Sequence, residues 1–154
     1  MVADAEPTKW SGATLGTREF VLRVLSALVL APLAVAVAYV GGWPFVVFWG
    51  LAAAGVLWEW ISLVALADRR VVLMAGLAPL ALAVALAGTG RLLAGVIVAF
   101  MGAMSAAALA PGARRLWVAG SLPYAAAIAL APVALRADSE FGLLAIIFLF
   151  AVVW

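Results

Sequence analysis

From Phe20 onward, long apolar runs alternate with short polar or glycine-proline breaks. The first run extends from about Phe20 to Val40 and is entered through Arg18 and Arg23. Gly41-Gly42-Trp43-Pro44 ends it with a tight turn and an interfacial tryptophan. The second run, Phe45 to Ala67, is closed by Asp68-Arg69-Arg70. The third, Val71 to Ala87, contains Pro79 and is closed by Gly88-Thr89-Gly90-Arg91. The fourth, Leu92 to Ala110, is broken by Pro111-Gly112-Ala113-Arg114-Arg115. The fifth, Leu116 to Leu135, contains Pro123 and Pro132 and meets the charged stretch Arg136-Ala137-Asp138-Ser139-Glu140. A bilayer-spanning helix needs about 17 to 25 such residues, so five full spans are predicted. A sixth run, Phe141 to Trp154, has 14 residues. That is about 21 Å of helix against a hydrocarbon core of about 30 Å, so it reads as a truncated span, the alternative being a re-entrant or interfacial helix. The predicted fold is all-α: a polytopic integral membrane protein with five full transmembrane helices plus a truncated sixth. The last run also points to the N-terminal part of a longer polytopic protein.

Composition agrees with the pattern. The chain is 69% hydrophobic and 10% charged, where a soluble domain is roughly half apolar and a quarter charged. It contains no cysteine and no histidine. Disulfides, thiol nucleophiles, thiolate or imidazole metal ligands and Ser-His-Asp catalysis are thereby excluded. The net charge of +2 comes from few residues and reads as a topology signal, with no nucleic-acid partner implied. With the N-terminus inside, the inner segments hold Lys9, Arg18, Arg23, Arg69, Arg70, Arg114 and Arg115, and the outer loops hold Arg91 and Arg136. This positive-inside bias predicts a multi-pass protein with a cytoplasmic N-terminus, and the expected location is the inner (cell) membrane. It would have a flexible cytoplasmic tail over 1–17 and an N-terminal transmembrane domain over 18–154.

Small residues are patterned as well. Gly95, Ala99, Ala103 and Ala107 form one stripe at four-residue spacing, and Gly102, Ala106 and Ala110 form another. Such stripes permit close helix approach in lipid, although alanine is abundant throughout. Pro32, Pro79, Pro123 and Pro132 are expected to kink their helices.

The candidate chemistry centres on Val56-Leu57-Trp58-Glu59-Trp60-Ile61, where a carboxylate lies between two tryptophans inside the second span. A carboxylate near the middle of a spanning helix costs about 2.5 to 3.5 kcal/mol. Glu59 lies towards the C-terminal end of its run, where the cost is lower. Three roles remain open for it: a structural polar link between helices, a wall of a lipid-headgroup cavity, or a proton carrier. The flanking tryptophans also suit plain interfacial anchoring. Arg69-Arg70 and Arg114-Arg115 can meet anionic lipid headgroups or only fix topology. The candidate substrate-binding residues are Glu59, Arg69 and Arg70. Asp138 and Glu140 are close in sequence but fall in an outer loop. Gly88-Thr89-Gly90 lacks a third glycine, and Gly12 to Thr17 lacks the phosphate-loop lysine. By spacing alone the chain holds no assembled catalytic or metal site.

Several stretches resemble one family. Arg23-Val-Leu-Ser26-Ala27, leading to Pro32, is similar to the opening of the bacterial phosphatidate cytidylyltransferases, also called CDP-diacylglycerol synthases. Leu57-Trp58-Glu59-Trp60 resembles the Trp-Glu-aromatic element of their second span. Gly120-Ser-Leu-Pro123 to Leu135-Arg136 resembles their fifth-span region, which ends in a Leu-Arg pair. Gly142 to Trp154 resembles the helix leading into their Asp-[Ser/Thr]-x-Ala-Tyr motif. The resemblance implies transfer of CMP from CTP to phosphatidic acid with Mg²⁺, giving CDP-diacylglycerol and pyrophosphate. It also implies a possible homodimer. The family's catalytic carboxylates and its His-Gly-Gly-x-x-Asp-Arg signature belong to a C-terminal half, and none of them is in this sequence. The Mg²⁺ ligands are accordingly expected outside this chain, which is expected to be inactive alone. The competing expectations are a small non-catalytic membrane protein that packs against a partner, and a transporter fragment using Glu59.

Overall fold

The computed structural model describes residues 12–64, 68–137 and 141–153. Residues 1–11 and the acidic pair Asp138 and Glu140 lie outside the described residues. The described chain is all helix: α1 (Gly12–Val40), α2 (Gly42–Leu63), α3 (Arg69–Gly88), α4 (Leu92–Ala108), α5 (Arg115–Arg136, entered through a 3-10 turn at Gly112–Arg114) and α6 (Gly142–Val153). Each follows one of the apolar runs. The largest departure is at the start, where α1 takes in residues 12–17, assigned by sequence to the tail.

The chain divides into two compact units, residues 1–35 and 36–154. The first holds most of α1, whose described side chains are apolar from Phe20 on. The second holds the last turn of α1 and the bundle α2 to α6.

Within the bundle, α5 is the central helix, packing on α2, α3, α4 and α6. Half of its apolar window (50%) is buried, against 22% for α2. Its buried positions Val118, Ser121, Leu122, Ala125, Ala126, Ala129, Leu130 and Val133 recur at three- and four-residue spacing. That is the spacing of one face of a helix. The Ser121 hydroxyl is buried there and donates to the Val118 carbonyl at 2.7 Å. Phe45, Leu57 and Ile61 of α2, Val72 and Leu80 of α3, and Ile146 of α6 complete the fully buried core.

Both small-residue stripes of α4 are buried. A Cβ at Gly95 would stand 2.7 Å from the Ala83 carbonyl oxygen of α3. One at Gly102 would overlap the Pro79 ring and stand 2.8 Å from Leu122 Cδ2. The stripes therefore mark where three helices come closest, the packing that small residues allow in lipid. Helices α3 and α5 continue through Pro79, Pro123 and Pro132.

The breaks have identifiable causes. At the end of α3, Gly90 adopts φ +81. The amide N–H of Arg91 donates to Leu86 and that of Gly90 to Ala87, both at 2.9 Å. This is the left-handed closure that glycine makes cheaply, and it satisfies carbonyls the helix leaves unpaired. At Gly41, φ is +67. A Cβ there would stand 2.9 Å from an Arg136 guanidinium nitrogen. Arg136 Nε donates to the Ala38 carbonyl at 3.0 Å across 98 residues of sequence. The cation thus sits on the carbonyl-rich end of a helix, where positive charge is favoured. It ties the end of α5 to the α1–α2 turn.

Among the described residues, three helical segments are long and apolar enough to cross a membrane, against the five full spans expected from the sequence: Gly42–Leu63, Arg69–Gly88 and Gly112–Arg136. Leu28–Val40 and Leu92–Ala108 are shorter apolar helices among the described residues.

Candidate functional site: the aromatic and basic end of the bundle

Contacts between helices define two ends of the bundle. At one end, Trp43 and Val46 of α2 lie against Gly88, and Arg136 meets Gly41. At the other, Trp60 of α2 meets the start of α5. Trp43 and Trp60 are 17 residues apart in one helix, or about 26 Å. That is close to the thickness of a hydrocarbon core, and tryptophans favour both of its edges. The Trp60 end carries Trp58, Trp60 and Trp117 together with Arg69, Arg70, Arg114 and Arg115. The opposite end carries Trp43, Arg91 and Arg136, the last of these engaged on Ala38.

The sequence-predicted site residues all belong to the Trp60 end, but they do not form one pocket. Glu59 is exposed, while Leu57 and Ile61 are each 1% exposed. At about 100° per residue, Glu59 points away from the face that Leu57 and Ile61 bury. It therefore makes no polar link inside the bundle. It also lies only four residues from the last residue of α2, near the level where a side chain can reach the interface. Arg69 places its guanidinium carbon 5.8 Å from the centroid of the exposed Trp58 ring, within the range of a cation–π contact. Arg70 is exposed.

The built feature at this end lies on the other side of Glu59. The Trp60 indole N–H donates to the Trp117 carbonyl at 3.1 Å. The Trp60 ring stands 5.2 Å from that of Tyr124 at a tilt of 44°, an aromatic pairing distance. These two contacts fix the Trp60 ring between α2 and α5. Beside it opens a groove of about 480 Å³ lined by Trp60, Leu63, Val64, Arg114 and Trp117. Reading the sequence for charged pairs marks Arg69-Arg70 and Arg114-Arg115 alike, but does not bring Trp60 and Trp117 together beside Arg114. Helical spacing contains part of the signal. Trp60 shares a face with Leu57, Ile61 and Val64, and Trp117 and Tyr124 are seven residues apart on α5.

No three His, Cys, Asp or Glu side chains come together among the described residues. Among the residues whose side chains are described, the carboxylates are Glu59 and Asp68, which do not come together as a Mg²⁺ site. This end of the bundle brings aromatic rings, aliphatic side chains and arginines to one level.

Fold and site together define a multi-helix membrane protein with an aromatic, basic face at one end of its bundle. The model of the cytidylyltransferase family, the family of CDP-diacylglycerol synthases, matches residues 21–154, and the chain belongs to that family. No curated protein and no solved structure matches it.

Proposed function

We propose that this chain is the N-terminal membrane portion of an enzyme that transfers CMP from CTP to phosphatidic acid, releasing pyrophosphate and leaving CDP-diacylglycerol in the bilayer. The observation that carries the reading is the family match over residues 21–154, which covers all the helices of the bundle. In this reading five helices span the membrane, with α6 as part of a sixth span. The arginine-rich end faces the cytoplasm, as the positive-inside rule requires. That places it in the leaflet nearest to soluble CTP.

In such a transfer the lipid phosphate attacks the α-phosphorus of CTP, so catalysis is largely positioning and neutralisation of charge. The contribution of this chain is positioning: it holds the lipid substrate at the interface beside the reacting groups. Mg²⁺ neutralises triphosphate charge in reactions of this class. The described residues do not fit it, and its ligands are expected outside this chain.

The test is reconstitution. The purified 154-residue chain, given phosphatidic acid, CTP and Mg²⁺, is expected to form no CDP-diacylglycerol. Fused in frame to the carboxylate-bearing C-terminal half of a family member that is inactive by itself, it is expected to restore CTP-dependent product. Turnover by the chain alone would overturn the division of labour. A folded fusion without activity would overturn the functional reading.

A further inference from the structure

A two-part hollow lies at the opposite end of the bundle, at the level of Trp43. The upper part, about 390 Å³, is lined by Trp43, Ala85, Thr89 and Arg91 among others. The lower part, about 350 Å³, is a groove between α2 and α3. Trp43 and Ala85 line both, so the two parts adjoin. The groove follows from small residues: Gly50 and Ala54 of α2 and Ala81 of α3 leave a furrow beside Val47 and Leu51. The helices cannot draw together to close it, because they already touch at its floor. A Cβ on Gly50 would stand 3.0 Å from Val84 Cγ1. On α2 the lining runs from Trp43 to Ala54, 11 residues apart, or about 16 Å. That is close to half of a hydrocarbon core of about 30 Å, so the groove runs the depth of one leaflet.

The polar groups sit at its interfacial end. The Trp43 ring is wedged against Gly88, where a Cβ would stand 3.3 Å from Cη2 and Cζ3. The Thr89 hydroxyl donates its proton to the Leu86 carbonyl at 2.8 Å, so towards a ligand it can only accept. Arg91 is exposed, and among the described residues its side chain makes no hydrogen bond or ion pair. Its guanidinium is therefore available to a phosphate. Inorganic phosphate would use the guanidinium and leave the groove empty. A phospholipid matches both parts, as basic pockets between membrane helices do for lipid headgroups.

We propose that this hollow holds one anionic phospholipid of the leaflet at the Trp43 end, with its phosphate on Arg91 and one acyl chain along the α2–α3 groove. The site is at the end of the bundle away from Trp60, so its lipid is separate from the lipid substrate of the proposed transfer.

The experiment uses the whole chain in phosphatidylcholine nanodiscs. These carry a trace of phosphatidylglycerol or phosphatidylcholine with a diazirine on one acyl chain, and the residues labelled on illumination are mapped by mass spectrometry. One arginine beside an anionic lipid is worth about fivefold in local preference. Phosphatidylglycerol should therefore label Val47, Leu51 and Ala81 about fivefold more than phosphatidylcholine at equal mole fraction. Ile97 and Met101, exposed on α4, should be labelled equally by both. Arg91→Gln should bring the two lipids level in the groove, and Arg115→Gln, at the other end, should change nothing there. Ala81 is exposed, so Ala81→Phe fills the groove without disturbing the core and keeps the arginine. It should lower labelling of Val47 and Leu51 by both lipids, which keeps the test decisive if Arg91→Gln does not fold. Equal labelling of the groove by the two lipids in the wild type would overturn the proposal. So would a preference that persists in Arg91→Gln, or groove labelling that Ala81→Phe leaves unchanged. Loss of the preference in millimolar inorganic phosphate would overturn it too, since the site would then take a free anion.

Discussion

Gly102 offers the sharpest test of how the bundle is packed. An added methyl at this position of α4 would overlap the Pro79 ring of α3 and lie 2.8 Å from Leu122 Cδ2 of α5. Carbon atoms settle at about 3.5 to 4.0 Å, so Leu122 would have to retreat by at least about 0.7 Å. A leucine methyl can rotate, but this side chain is 0% exposed and has little room. The Pro79 ring is fused to the backbone of α3 and cannot rotate at all, so α3 itself would have to move. Inserting methylenes into a well-packed core costs about 1 to 3 kcal/mol, and the rigid neighbour places Gly102→Ala in the upper half of that range. Gly55 and Gly120 provide the controls, because a Cβ at either position has nothing within 4 Å. Alanine there only removes the helix penalty of glycine, about 1 kcal/mol. The three variants should be unfolded side by side in detergent and followed by circular dichroism. The expected result is a loss of about 2 to 3 kcal/mol for Gly102→Ala, with the other two at or above the wild type. If Gly102→Ala unfolds together with the controls, the three-helix contact at this point is wrong.

Four further outcomes follow from the same structure. Arg136→Ala removes a charge-assisted hydrogen bond to the Ala38 carbonyl and should cost about 1.5 to 3 kcal/mol, read as a lowered melting temperature. Gly41→Ala should also destabilise, by about 1 kcal/mol or more, because φ is +67 and the methyl would press on the same guanidinium. Trp60→Phe keeps the ring beside Tyr124 but loses the bond to the Trp117 carbonyl, and a thermal melt should show a loss of about 0.5 to 1.5 kcal/mol. Glu59→Gln should leave the melt within about 0.5 kcal/mol of the wild type, since Glu59 is exposed and turned from the core; a large loss would restore the reading of Glu59 as a link between helices.

The elements themselves were legible because their signals are local. Each apolar run between glycine, proline or arginine breaks became a helix, and the spacing of Gly95 and Gly102 already marked the close faces of α4. Gly90 closes α3 where the sequence placed a turn. The relations between elements were not legible. Glu59 stands out in the sequence because a carboxylate is rare in an apolar run. Helical geometry, though, turns it outward and leaves the neighbouring Trp60 to meet α5. The acceptor for that indole is a backbone carbonyl 57 residues away, and no residue type announces a carbonyl. Arg136 illustrates the same point. Family resemblance marks the Leu135-Arg136 pair, and charge counting assigns it to an outer loop, but neither supplies its partner at Ala38.

The reach of Arg136 across 98 residues also sets an order of events during synthesis. A chain elongating at about 5 to 20 residues per second leaves the carbonyl of Ala38 waiting about 5 to 20 s before the arginine is made. Helices α2, α3 and α4 emerge in that interval, and the latch can close only when the end of α5 arrives. Closure of the bundle is thus a late step that reports on the whole of α2 to α5. A substitution at Arg136 would be expected to show first as poor accumulation in the membrane and sensitivity to quality-control proteases, before any change in the assembled protein is measured.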